Sequence, residues 1–358
     1  MLKQRQGWRF ALAVGVCILV ASRCWADDLS SEPLEVRLWL AMSRAVSSTD
    51  AIGREASVAY RSPSSDNPAA TDVRGVEPVN ERGFFCAGTH HIVFSDGAWI
   101  AAGDVNGFIR LNNAGTVSLG YIHIGLPDGM TLQGFNDDLR SNDFLFKYGR
   151  QIHPDIYVGV GFRVSDLKLD YGDLFMGAPR STQDHSVSGS FTLGGLWRPS
   201  PNWTIGALAG AGWIRSDIGG VVHLPGGPVP FSAPFQLDLT TRTVNAKTGF
   251  GWRAVPALTL YVDAQYFRLD NSMTSADTGR FYFGGDIRLS RRASLMAGSS
   301  VDTRTHVSAS SGLSINLMKP GMLRSTLLKL SYQYNPLPEI RQEFGTGNLV
   351  SATMVFSF

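Results

Sequence analysis

The last stretch of the chain constrains its fold more than any other. From Asn348 to Phe358 the residues alternate. Val350, Ala352, Met354, Phe356 and Phe358 take the even positions, and Ser351, Thr353 and Ser357 take odd ones. Successive side chains of a β-strand point to opposite faces, so a period of two sorts this segment into an apolar face and a polar face. The apolar face is unbroken and its last residue is aromatic.

The same alternation recurs through most of the chain. Strands are predicted near 84–95, 98–111, 116–126, 142–151, 155–166, 187–198, 203–215, 241–253, 257–269, 279–290, 293–304, 307–317, 324–335 and 348–358. In 307–317, Val307, Ala309, Leu313, Ile315 and Leu317 share one face, and Ser308, Ser310, Gly312, Ser314 and Asn316 share the other. In 241–253, Val244, Ala246, Phe250 and Trp252 oppose Asn245, Lys247 and Arg253. The first strand, from Phe84, has no clear polar face. Short links at His153-Pro154-Asp155, Pro199 to Asn202, Ala254-Val255-Pro256, Arg291-Arg292 and Lys319-Pro320-Gly321 alternate with longer ones at about 127–141, 167–186, 216–240 and 336–347. Two further links, near 96–97 and 305–306, are short although they fall among the long set.

These features together resemble bacterial outer-membrane β-barrels, which have short turns on the periplasmic side and longer loops outside. The reading is all-β: a transmembrane antiparallel β-barrel of about 14 strands over 84–358, with both of its ends in the periplasm. Trp99, Tyr121, Trp197, Trp203, Trp213, Trp252 and Tyr266 lie on the apolar face, many near strand ends, as interface girdles do. The resemblance implies outer-membrane lipid and the barrel insertion machinery as partners. Phe356 and Phe358 would then belong to the signal which that machinery reads.

Residues 1–26 fit a secretory signal peptide. Lys3, Arg5 and Arg9 precede the apolar run Phe10 to Ala21, and Cys24-Trp25-Ala26 supplies a small-residue cleavage site. The run is too short to span roughly 30 Å of hydrocarbon as a helix. Four basic residues and no acidic ones fall in this segment. Removing it takes the 32 basic residues, less 4, to 28 against 30 acidic, net −2. That balance argues against nucleic acid as a partner. Cys17 and Cys24 leave with the segment, so Cys86 remains without an internal disulfide partner.

Residues 27–83 read as a plug or a periplasmic segment. Leu34, Leu38, Ala41, Met42 and Ala45 have helical spacing, yet Val36, Leu38, Leu40 and Met42 alternate, and both readings stay open. Ser43-Arg44-Ala45, Ala51-Ile52, Glu55 to Arg61 and Asn67-Pro68-Ala69 stand in an order similar to the plug of the FadL-type outer-membrane transporters of fatty acids and hydrocarbons. Ser62 to Asp66 interrupt that order, and the acidic pair before the motif is missing. The resemblance implies that Asn67, Pro68 and Ala69 are plug residues. It also implies that apolar cargo binds at the external loops, passes a rearranged plug and leaves sideways through the wall.

If the apolar face meets lipid, the lumen receives Asp104, Arg110, Lys147, Arg163, Arg198, Lys247, Arg253, Asp263, Asp286, Arg288, Asp302, Arg304 and Lys329. These charges either line a conduit or pair with one another. Ile218 to Gln236 reads as an external loop whose Val221, Val222, Leu224, Phe231 and Phe235 either meet a ligand or fold over the mouth. Enzymatic readings are weak. Asp137-Asp138 and Asp184-His185 are similar to the residue types of omptin proteases, but adjacent residues on a strand point apart. His90-His91 fail as joint metal ligands for the same reason and are expected to be solvated or at the interface. Ser165-Asp166-Leu167-Lys168 has no supporting motif. No enzyme, metal or cofactor is expected. The leading function is uptake of hydrophobic or amphipathic small molecules; a general diffusion porin or a structural surface barrel are the alternatives.

Overall fold

The computed structural model describes residues 67–72 and, apart from short stretches in connections between strands, 83–358. The signal peptide, the helix-or-strand choice near 34–45 and most of the 27–83 segment lie outside the described residues. So do the turn at Lys319 to Gly321 and the residue Asp137.

The strands are β1 (Gly83–Phe94), β2 (Trp99–Arg110), β3 (Thr116–Gly125), β4 (Thr131–Leu132), β5 (Phe135–Asn136), β6 (Asp138–His153), β7 (Ile156–Phe175), β8 (Ala178–Ser200), β9 (Trp203–Leu224), β10 (Phe231–Val255), β11 (Leu258–Asp270), β12 (Ser275–Arg288), β13 (Ala293–Asp302), β14 (Val307–Leu317), β15 (Ser325–Tyr334) and β16 (Gly347–Ser357). β4 and β5 form a small hairpin of their own, and the other fourteen close into one antiparallel barrel. Closure is between β1 and β16, in register from Phe84↔Ser357 to Phe94↔Gly347. Beyond the last pair, Gly83 and Phe358 exchange backbone hydrogen bonds of 3.3 and 3.1 Å. A side chain at Gly83 would meet the Phe358 ring at 2.8 Å, so the glycine makes room for the ring at the seam. β3 pairs with β2 and β6 at every residue from Thr116 to Gly125, so no register break marks a sideways exit there.

All fourteen barrel strands stand where alternation placed them, but β7 to β10 are longer than expected. The stretches 167–186 and 216–240, read as long loops, are mostly strand. The reason is a reversal of polarity along the wall. In the lower part of β7, Ile156, Val158, Phe162 and Val164 face outward, while Gly159, Arg163 and Ser165 face inward. Above Val164 the outward residues are Asp166, Lys168 and Asp170, and the inward ones are Leu167, Leu169 and Tyr171. β10 repeats this, with Val244 and Trp252 outward below, Asp238 and Arg242 outward above, and Leu239 buried inside. β6 does so too, from Phe144 and Phe146 to Asp138 and Arg140, with Leu139 inside. The period of two never stops; only the face that is apolar changes. The lower outward band matches the height of a bilayer, about ten residues per tilted strand. Above it the outer face meets water and turns polar.

The segment Ile218 to Gln236 is therefore not a loop. Leu224 pairs with Phe231, Val222 with Ala233, Val221 with Pro234 and Gly220 with Phe235, which leaves only 225–230 between the strands. The Phe235 ring packs over Gly220, where a Cβ would approach it to 2.7 Å, and the Arg180 guanidinium stands 5.8 Å from the ring centroid. On the outer wall, Trp203 stacks on Trp252 at 5.6 Å, and Trp197, Trp213 and Tyr121 are exposed, as an interface belt requires.

Candidate functional site

The lumen has three levels. At the periplasmic end sits the Asn67–Asp72 segment, whose residues 68–72 form one turn of 3-10 helix and are all buried. Asn67 is buried and works in two directions. Its Oδ1 accepts from the Ala69 N–H at 3.0 Å, and its Nδ2 donates to the carbonyls of Gly195 on β8 (3.2 Å) and Ala207 on β9 (3.4 Å). Thr71 Oγ1 donates to the Pro68 carbonyl at 2.8 Å. The Asp72 carboxylate accepts from Thr116 Oγ1 at 2.6 Å and from the Gln151 N–H at 2.8 Å. Bonds to a carboxylate are stronger than neutral ones, so Asp72 ties the turn to β3 and β6. Ala69 and Ala70 pack on Tyr157 and Leu196. The wall is shaped for this contact. A Cβ at Gly149 would lie 2.2 Å from Thr71 Oγ1, at Gly159 2.4 Å from the Pro68 carbonyl carbon, and at Gly194 2.1 Å from Asn67 Oδ1. Three glycines on three adjacent strands let the backbone of the motif approach the wall.

The middle level is polar. The Arg163 guanidinium on β7 pairs with the Asp143 carboxylate on β6; their side chains are 20% and 2% exposed. His90 Nε2 lies 2.7 Å from Asp104 Oδ1, and Asn106 donates to the other Asp104 oxygen at 2.7 Å. Higher up, on the strand beside Leu167 and Leu169, Ser186 Oγ bonds to Asp184 and to Ser216 Oγ, each at 2.7 Å. Tyr282 donates to Gln265 at 2.8 Å, with Lys247, Asp263 and Arg280 buried beside them and Asp286 buried four residues further down β12.

Of the charges expected inside, Asp104, Lys147, Arg163, Lys247, Asp263, Asp286 and Lys329 occupy inward positions along the strands. Arg110, Arg198, Arg253 and Arg288 occupy them at the periplasmic ends. Asp302 also keeps the inward parity at the outer end of β13, opposite Arg280, and there it caps the following turn through the N–H groups of Arg304 (2.9 Å) and His306 (2.8 Å) and the His306 ring (3.0 Å). One differs: Arg304 lies in that turn, not on a strand. Strand alternation was carried two residues too far there.

Asp143, Asp184 and His90 also face inward, although none of them was expected in the lumen. Asp143 shares the parity of Lys147, and Asp184 shares that of Arg198, so the signal was present. His90 was expected in solvent or at the interface; it is buried inside, because an inner face can hold an imidazole that has a carboxylate partner. His91, one residue on, faces outward, with its ring 5.7 Å from that of Trp99. Asp184 and His185 likewise point apart, with His185 bonded to Asp166 at 2.9 Å on the outer wall.

The upper level is apolar on one side, while the upper inward residues of β12, β14 and β15 include Thr278, Ser308 and Gln333. Ile92, Phe94, Ile100, Ile122, Ile124, Leu139, Leu167, Leu169, Tyr171, Ile214, Leu337 and Leu349 form one buried cluster from β1, β2, β3, β6, β7, β9, β16 and the connection after β15. Outside it, Asp170 stands opposite Asp138 across the β6–β7 pair. Partial burial, and then the Asp138 charge, raise the Asp170 carboxyl above its ordinary pKa, against the pull of Lys168. Beside it, an open cavity of about 580 Å³ is lined by residues that include Tyr171, Arg180, Thr182, Gln183, Val221 and His223.

A closed antiparallel barrel with an apolar outer belt and a polar inner face is a transmembrane barrel of the outer-membrane type. More particularly, its fold is that of solved FadL-type barrels. The toluene transporter TodX of Pseudomonas putida aligns with a TM-score of 0.56 at 12% identity, over 88% of this chain and 97% of that one. The toluene transporter TbuX of Ralstonia pickettii gives 0.56 at 12%, over 88% and 96%. A FadL homologue of Pseudomonas aeruginosa gives 0.54 at 14%, over 86% and 97%. At this identity the likeness is one of fold. The sequence matches no family model and no curated protein.

Proposed function

We propose that this barrel takes up hydrophobic or amphipathic small molecules across the outer membrane. The observation that carries this reading is the apolar cluster in the upper lumen. A barrel that only admits hydrophilic solutes gains nothing from turning isoleucine and leucine inward along one side of its outer half, whereas an apolar molecule that packs into such a cluster leaves water, at roughly 25 cal/mol per Å² buried. The Asn67–Asp72 turn below it supports a lumen that is gated. The named neighbours TodX and TbuX transport toluene, which agrees with an apolar cargo.

The test is uptake of labelled dodecane, toluene and laurate by cells with and without the protein. Faster uptake with the protein is expected; equal uptake of all three overturns the reading. The polar middle level, with Lys247, Asp263 and the Asp143–Arg163 pair, favours the diffusion porin as the second reading. Planar bilayers separate the two. Large steady conductance supports the porin, and near silence supports the gated transporter.

A further inference from the structure

On three adjacent strands, the first polar residue above the apolar band of the outer wall is an arginine. Arg215 on β9 comes two residues after the outward Trp213, Arg242 on β10 two before the outward Val244, and Arg268 on β11 two after the outward Tyr266. All three are exposed. Strand register makes them neighbours. Arg215 stands opposite Thr240, two residues from Arg242. Arg268 stands opposite Val244, two residues from Arg242 the other way. Diagonal positions of this kind lie about 7–8 Å apart on one face, within reach of long side chains. The three guanidinium groups therefore form one row along the upper edge of the belt. Asp217, Asp238 and Asp270 stand further from the belt on the same strands, and Asp277 on β12 stands opposite Arg268. Among the described residues, no carboxylate forms an ion pair with Arg215, Arg242 or Arg268; Arg268 donates to Ser275 Oγ at 3.2 Å. β6 and β7 differ. There Arg140 stands opposite Lys168, but Asp138 pairs with Arg140 at 3.2 Å and Asp166 with His185 at 2.9 Å. Across the barrel, the outer ends of β12 to β16 and of β1 to β3 hold no outward lysine or arginine among the described residues. The row is thus a feature of one side and not the general polarity of the rim.

We propose that this row binds the phosphate groups of a lipid in the outer leaflet. The apolar band ends at Trp213, Val244 and Tyr266, so the residues next above them lie where lipid head groups begin. A lipid whose tails lie against the belt brings its phosphate to the arginines without leaving the membrane. Guanidinium forks match phosphate with two parallel hydrogen bonds and stay charged at any working pH. The carboxylates on the water side repel an anion that arrives from solution and leave the approach from the lipid side open. The surface is on the outer wall, so it is independent of what the lumen carries.

The test uses the purified full chain in a neutral detergent and two forms of lipid A, one with both phosphates and one with none. Thermophoresis of the labelled protein reads binding. At low salt the phosphorylated form is expected to bind about tenfold more tightly, and high salt should shrink the difference. The triple variant Arg215→Gln, Arg242→Gln, Arg268→Gln is expected to lose that advantage. The control Arg291→Gln with Arg292→Gln, in an exposed periplasmic turn, should keep it. If the triple variant does not fold, Arg242→Gln alone, in the middle of the row, should lose about threefold for the phosphorylated form. Inorganic phosphate at the concentration of the lipid should leave the lipid bound. Equal binding of the two forms, an advantage that survives the row substitutions, or an equal loss in the control overturns the proposal. Displacement by inorganic phosphate also overturns it, because the row would then be a site for free anions.

Discussion

Single residues decide how the motif at Asn67 is held. Gly194 leaves room that any side chain would fill, and a Cβ there lies 2.1 Å from Asn67 Oδ1 and 2.8 Å from Pro68 Cδ. Gly194→Ala is therefore expected to unseat the motif and raise conductance in planar bilayers above that of the native chain. Equal conductance would show that this turn does not limit the pore. Asp170 offers a test of charge outside the membrane belt. Its carboxyl binds its proton more tightly in the folded state than in the unfolded one. Between the ordinary pKa and the raised one the folded state holds more protons, so stability falls as pH rises through that window. Asp170→Asn should raise the unfolding temperature at pH 7 and have little effect below pH 3.5; a melting curve at each pH checks both. Asn67-Pro68-Ala69 could be read from the chain as a motif, but its seat could not. The seat consists of glycines 149, 159 and 194, and a glycine in a strand looks the same whether it admits a neighbour or only a turn.

The elements were largely legible because a strand advertises itself by its period, and the period survives everywhere in the barrel. What was hidden is the upper part of β7 to β10. There Asp166, Lys168 and Asp170 face out and Leu167, Leu169 and Tyr171 face in, the opposite of the pattern below. Only a solvent boundary, which no sequence window contains, explains the exchange. The inner apolar cluster follows from these extended strands, so its importance is tested on them. Leu167→Gln with Leu169→Gln, both fully or nearly fully buried, places two amides in that cluster. The expected result is several-fold slower dodecane uptake with a normally inserted barrel. Unchanged uptake would mean that cargo does not touch this level.

At the scale of the molecule the barrel exists only once β1 meets β16, which lies at the opposite end of the strand order in the sequence. The Phe358 ring fills the space beside Gly83 at that seam. Deleting Phe358 is expected to lower the amount of folded barrel in cells, seen as loss of the heat-shifted band on a gel. Refolding of the purified variant in detergent separates two causes: normal refolding points to recognition by the insertion machinery, and failed refolding to the seam itself. The exchange of polarity on the wall also settles how deep the barrel floats. Asp166, Arg215 and Arg242 sit two residues above the outward Val164, Trp213 and Val244 along their strands. A barrel that sank by about 7 Å, two residues' rise, would carry these charges and their neighbours into hydrocarbon, at up to roughly 2–4 kcal/mol for each basic group that reached the midplane. The belt cannot rise without wetting its own valines and phenylalanines. The two boundaries together act as a waterline, and they hold the mouth of the lumen at one height above the lipid.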